Sequence, residues 1–310
     1  MKSKVWIALL ALYIVWGSTY LAIRFAVETI PPFMSAGLRF LVSGLILLIW
    51  RRSAGDALPT RNQWKSLAIV GLLLLLGGNG LVSVAEQLIP SGIAALIIGT
   101  VPIWLILVEA LRPGGVRPGW RTLTGLFVGF AGIYLLVGPT SLRGSTQFNI
   151  VGTLTLLAAA ILWSIGSIYS RSAEVPKSTL MMTGGEMLMG SLGLFLASAF
   201  RGEWQGFRFS SVSTSSWLGL AYLIAFGSLI GFVSYGWLLH NAPVSLVATY
   251  AYVNPLVAVM LGAIFAHELL NARILLAAAL IIGCVVFINL SQSSKSLDVV
   301  QPGEEPMPAD

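Results

Sequence analysis

The stretch WGSTYLAIRFAVETIPPFMSAGLRF, residues 16–40, has a counterpart 147 positions further along the same chain. At that offset Trp16, Arg24 and Arg39 fall on Trp163, Arg171 and Glu186. Later in each half, Pro90, Pro102 and Gly132 recur as Pro243, Pro255 and Gly283 at an offset of 151 to 153. The chain therefore reads as a tandem duplication, residues 1–140 and 141–290, and a repeat on this scale decides how the rest is parsed.

Each half holds five apolar stretches of about the length that crosses a bilayer. They are 5–27, 33–50, 65–86, 91–109 and 119–138, then 150–170, 178–200, 213–238, 244–266 and 273–290. The predicted fold is an all-α integral membrane protein with ten transmembrane helices. Because five is odd, the second half enters the membrane from the opposite side. The two five-helix repeats are thus inverted in topology, a signature of secondary transporters.

Composition excludes a water-soluble class, since 56% of residues are hydrophobic and 10% charged, against roughly 45–50% and 25% in soluble domains. The one cysteine, Cys284, rules out a disulfide framework, and His240 and His267 lack metal-ligand spacing, so neither a metal nor a cofactor is expected. The start, MKSKVWIALLALYIV, imitates a signal peptide but has no small-x-small cleavage site, and is read as an uncleaved first helix.

A net charge of +6 raises the question of a nucleic-acid partner, which the distribution of charge answers. With the N-terminus in the cytoplasm, inner loops and tails hold Lys2, Lys4, Arg51, Arg52, Arg61, Lys65, Arg112, Arg117, Arg121, Arg171, Lys177 and Lys295. Outer loops hold only Arg143, Arg201, Arg208 and Arg273. The positive-inside rule then places both termini in the cytoplasm and accounts for the basic balance without a polyanion. Residues 291–310, rich in Ser, Pro and acid, read as a disordered cytoplasmic tail.

Polar residues within the spans form stripes. Asn79, Ser83 and Glu86 or Gln87 share one helical face. Trp16 with Tyr20, Trp163 with Ser167, and Tyr250 with Asn254 stand in i, i+4 pairs. Such faces turn into the bundle because polar groups are costly against lipid, and together they suit a pocket for an organic solute with an apolar part. The bland alternative for each residue is an interhelical hydrogen bond. Pro102 and Pro255 each remove a backbone bond near mid-span, marking either a kink or a central cavity. Gly125 with Gly129 and Gly227 with Gly231 are small-xxx-small packing patterns.

Two ionisable residues lie about two turns inside their spans: Arg39 from the outer side and Glu186 from the inner side. Buried charges are normally paired, so Glu86 is the expected partner of Arg39, and Arg171 or His240 that of Glu186. Such pairs act as helix tethers, as outer and inner gates, or as proton-exchanging sites.

The segments 16–40, PSGIAALIIGTVPIW (90–104) and YAYVNPLVAVMLGAIFAHELLNARILLAAALIIG (250–283) together resemble the EamA family of the drug/metabolite transporter superfamily, and within it the bacterial inner-membrane members. The resemblance runs from about residue 5 to residue 290. It implies ten helices, cytoplasmic termini and ATP-independent export of amino acids or other small metabolites and drugs. One departure stands out. Glu268 precedes the last helix, but the matching first-half turn, RPGGVRPG (112–119), has no glutamate.

The expected partners are a small-molecule substrate and the lipid bilayer, with no ATPase partner required. A channel-like facilitator remains open, as does a receptor. An enzyme is disfavoured by the absence of a Cys/His pairing, an intramembrane Asp or a phosphate loop.

Overall fold

The computed structural model describes residues 2–115, 117–141, 149–242, 244–247 and 249–298. Helices occupy every apolar stretch, and no strand occurs among the described residues. In the first half these are α1 (Lys2–Ala26), α2 (Pro32–Ser53), α3 (Arg61–Gly71), α4 (Leu81–Ala85), α5 (Ser91–Ile98), α6 (Val101–Leu111) and α7 (Trp120–Ser141). In the second they are α8 (Ile150–Ser170), α9 (Thr179–Phe200), α10 (Thr214–Tyr222), α11 (Gly231–Asn241), α12 (Val244–Val247), α13 (Tyr250–Phe265) and α14 (Ala272–Asp298). Among the described residues, seven helices are long and apolar enough to cross a membrane, by length and composition. Three shorter apolar helices cover Thr122–Leu135, Val253–Phe265 and Ala272–Phe287.

Two spans change pitch midway. A π-helical segment, Leu72–Gly80, joins α3 to α4, and another, Leu223–Ile230, joins α10 to α11. The second begins 151 residues after the first, so each half carries the same irregularity at the same place. Wider turns of this kind loosen the local backbone ladder and recur at functional sites.

The prolines differ from one another. Pro102 does not interrupt a helix as expected. The fourth span is already broken at Gly99 and Thr100, and Pro102 stands in the first turn of α6, where its missing N–H leaves nothing unsatisfied. Pro255 does lie inside α13, one residue beyond buried Asn254. The stretch expected as tail begins as helix, because α14 continues to Asp298, with no Gly or Pro between Gly283 and Pro302. Residues 299–310, Pro243 and the 142–148 loop that carries Arg143 lie outside the described residues.

Polar residues set the helix starts. Thr60, Asn149, Ser178 and Ser213 each accept a hydrogen bond from a backbone N–H in the first turn that follows, which satisfies donors a helix leaves unpaired. Glutamates from the second half cap two first-half helices. Glu203 accepts from the N–H groups of Phe33 (3.3 Å) and Met34 (3.0 Å). Glu268 accepts from Ser91 N (2.6 Å), Ser91 Oγ (2.7 Å) and Gly92 N (2.9 Å). The role of Glu268 in this structure is therefore to fasten the start of α5.

Close packing depends on glycine. A Cβ on Gly44 would stand 2.9 Å from Gly184 O, and one on Gly71 would stand 2.8 Å from Gly190 N, so α2 and α3 approach α9 backbone to backbone. Within α7, a Cβ on Gly129 would meet Cys284 Sγ at 2.8 Å, while that sulfur donates to Gly125 O. Ile7, Leu10, Ile14, Ile46, Ile49 and Trp50 point outward, an apolar exterior that suits lipid.

Two stability measurements test this packing. Gly71→Val overpacks the α3–α9 contact and should cost about 1–3 kcal/mol, read as earlier thermal unfolding in detergent, whereas Gly283→Ala, which has open space around it, should be silent. Removing the α5 cap with Glu268→Ala should cost about 1–3 kcal/mol by leaving buried donors unpaired, with Glu268→Gln intermediate.

Candidate functional site

A cavity of about 650 Å³ lies between the two halves of the chain. Its walls come from α1, the first π-helical segment, the α5–α6 break, α8, α11 and α13. Trp16, Tyr20, Asn79, Trp163, Tyr250 and Asn254, all expected from their shared faces, line it together with Pro102 and Pro255. At one end the lining reaches Glu109, Arg117 and Arg171, and both arginines are exposed, so this end is the mouth. At the other end Ile23 and Val82 belong to a buried apolar cluster with Ile93 and Ile97, which closes it.

The irregular backbone segments explain where the aromatic groups sit. Each tryptophan of the repeated pair lies against the π-helical segment of the opposite half. Trp163 rests on Gly78, where a Cβ would meet the ring at 2.7 Å. Trp16 donates from Nε1 to Gly227 O (3.2 Å), taking up a carbonyl of the loosened ladder. Trp16 also packs against Phe232, Tyr235 and Tyr250, with ring centroids 5.4, 5.3 and 5.2 Å away. A Cβ on Gly99 would meet the Pro255 ring, so the break in the fourth span touches the proline-bearing turn of α13 beside the cavity. Asn254, with its amide nitrogen turned toward them, donates to the carbonyls of Tyr250 (3.3 Å) and Tyr13 (3.2 Å).

Two expected binding residues do not belong to the lining. Ser83 Oγ donates to Asn79 O (3.0 Å) and Ser167 Oγ donates to Trp163 O (2.7 Å). A serine in a helix readily bonds the carbonyl one turn back, and that satisfies its only donor.

The expected charge pairs do not form. Among the described residues the one ion pair joins Arg51 to Asp56 (2.8 Å), in the exposed α2–α3 connection. Hydrogen bonds from Arg51 and then Ser178 hold the Asp56 carboxyl below the usual carboxylate range. Arg39, only 5% exposed, donates from Nε to Ser228 Oγ (2.9 Å), lies over the Phe40 ring at 4.7 Å and lines the cavity. Glu86 is fully buried with neither carboxyl oxygen hydrogen-bonded, and its backbone oxygen accepts from Arg24 Nη1 (2.8 Å). Arg39 and Glu86 are not brought together: the guanidinium turns to Ser228, and the Glu86 carboxyl stays buried apart from it. Glu186 is buried on α9 without an ion pair, and Arg171 is at the cavity mouth instead. The side chain of His240 lies outside the described residues.

Several lining residues escaped the sequence reading. Phe232 and Tyr235 stand one turn apart on α11 and complete the aromatic wall. Their i, i+3 spacing was a visible signal. Glu109 was also detectable as the one acid within the apolar string of α6. Leu105 and Ile106 carried no signal, since nothing distinguishes them from apolar neighbours that face lipid.

Comparison with known proteins agrees with this architecture. The model of the EamA-like transporter family matches residues 3–138 and again 150–290. The "Uncharacterized inner membrane transporter YedA" of Escherichia coli (strain K12) is 40% identical over 288 residues, covering 92% of this chain and 90% of that one. The "Uncharacterized transporter YoaV" of Bacillus subtilis (strain 168) is 26% identical, covering 92% and 96%. A crystal structure of a protein 22% identical in sequence superposes with a TM-score of 0.62, covering 94% of this chain and 99% of that one, which speaks to the fold alone. With both halves matched by one family model, the chain belongs to the EamA-like transporter family.

Proposed function

We propose that the protein is a secondary transporter that moves a small organic solute across the bacterial inner membrane by alternating access. One observation carries this reading: the cavity between the halves is open at one end and closed by packed apolar residues at the other. A channel needs a continuous path, so one closed end favours a carrier over a channel-like facilitator. The relatives named as transporters, one of them of the inner membrane, support the same reading.

In this reading ten helices cross the membrane as two inverted five-helix repeats, residues 1–140 and 141–290, with both termini cytoplasmic. The matched π-helical segments and the exchanged tryptophans support inversion, since each half presents the same features to the other. The mouth residues Arg117 and Arg171 belong to the basic inner loops, so the conformation is inward-open. Trp16, Tyr20, Asn79, Trp163, Tyr250 and Asn254 bind the solute, and export of amino acids or related metabolites follows from the family. Charge-pair gates are not part of the reading, because the pairs do not form. No catalytic step is assigned.

Topology is tested by reporter fusions. Those after Lys65, Lys177 and Lys295 should report cytoplasm and one after Arg208 the outer side; an outer signal from the 51–65 loop overturns the inverted arrangement.

Metabolites excreted by cells overexpressing and lacking the protein identify the solute and its direction. In proteoliposomes, Trp163→Ala or Asn79→Ala should lower its flux about tenfold or more, as expected for losing a buried aromatic or polar contact worth roughly 1.4 kcal/mol or above. Membrane levels should stay near normal, and unchanged flux in both variants would move the site elsewhere.

A further inference from the structure

Arg39 presents a cation to the cavity without a carboxylate to balance it. Its relative exposure is 5%, yet it is one of the lining residues. The Nε donation to Ser228 Oγ, 2.9 Å long, is its one hydrogen bond among the described residues. Guanidinium carries five N–H donors in a planar fork suited to a carboxylate, so its two terminal nitrogens retain donors for a ligand. Burying an unpaired charge is expensive, and proteins ordinarily supply a counter-ion. Here Glu86 and Glu186 are both buried in the same bundle, yet neither is within ion-pair distance.

The surroundings of Arg39 fit a role in recognition. Phe40 lies beneath the guanidinium, with the carbon 4.7 Å from the ring centroid, which fixes its plane. Gly227 of the second π-helical segment leaves room beside it, since a Cβ there would stand 3.1 Å from Nη2. The same glycine's carbonyl holds Trp16, so cation and aromatic wall are positioned by one irregular turn. The rest of the lining is biased in the same direction. Its charged residues are Arg39, Arg117 and Arg171 against Glu109 alone, and an excess of one sign in a low-dielectric cleft concentrates ions of the other.

We infer that Arg39 is the carboxylate subsite of the cavity, and that the solute is an organic anion or zwitterion whose apolar body lies against Trp16, Tyr235 and Tyr250. This deepens the transporter reading and rests on it for the word solute. A purely cationic amine has no complementary group at this depth. The carboxylate supplies the counter-ion that the protein withholds, so loading the cavity neutralises its deep charge.

The test uses the full chain in nanodiscs, with a single thiol placed in the lining by Leu105→Cys on a Cys284→Ala background. Modification is timed with the anionic sulfonatoethyl and the cationic trimethylammonioethyl methanethiosulfonates, each corrected for its rate with a free small thiol. The anionic reagent should react about tenfold faster or more, Arg39→Gln should remove most of that preference, and Arg39→Lys should keep it. The Lys variant also controls for loss of structure. Protection is then compared for 3-phenylpropanoate and 2-phenylethylamine, which share a ring and chain and differ in the end group. The propanoate alone should protect, and Arg39→Gln should abolish its effect. A reagent preference unaffected by Arg39→Gln overturns the subsite, as does equal protection by the two compounds or by neither. Proteoliposome flux separates the two readings. Selective protection without any flux removes the transporter and leaves the anion site, whereas flux with unselective protection removes the anion site alone.

Discussion

Backbone N–H and C=O groups at membrane depth have no water to turn to, so a chain that departs from the α-helix there must supply partners of its own. The departures in this structure gather about one place. Gly78 and Asn79 of the first π-helical segment, the break at Gly99 and the proline of α13 border the cavity, and the second π-helical segment is tied to its wall through Trp16. Trp16 takes the Gly227 carbonyl, and Thr100 Oγ donates to Ile97 O while accepting from Trp104. The irregular turns and the cavity are thus coupled: the first π-helical segment and the break at Gly99 open onto it, and the second is satisfied by a side chain of its wall.

The electrostatics follow from the same arrangement. A bundle packed on Gly44, Gly71 and Gly190 leaves little space among α2, α3 and α9, so Glu186 is enclosed among neighbours that are mostly backbone and apolar groups. Arg39, on α2, reaches the cavity between the halves. Whether a buried charge becomes a structural burden or a recognition group is decided here by which wall of the helix it occupies.

Sequence reasoning reached the helices and most of the cavity because both depend on local spacing. Trp16, Tyr20, Trp163, Tyr250 and Asn254 were visible in i, i+4 pairs on otherwise apolar helices, and Asn79 in a polar stripe with Ser83. Depth along a helix is also local, and it was the ground for pairing Arg39 with Glu86. Their azimuth is a property of how helices rotate against each other, and the pairing inferred from depth alone failed. Ser83 and Ser167 shared the correct faces, but a hydroxyl that bonds its own helix is indistinguishable in sequence from one that faces a ligand. The π-helical segments were invisible for a different reason. The five leucines of LLLLLGGNG are apolar on every side, so they offer no phase against which Asn79 would reveal a change of pitch.

Those segments also decide where a span can lose a residue. Each α-helical residue turns the chain by about 100°, so a deletion within α3 would swing everything beyond it by that angle, carrying Asn79 out of the cavity and Ala85 out of the apolar cluster beside it. A π-helical turn closes over one residue more than an α-helical turn, so a deletion inside Leu72–Gly80 can be absorbed by a return to regular pitch that leaves α4 in place. The same loss is thus disruptive in the regular part of the span and mild in the irregular part.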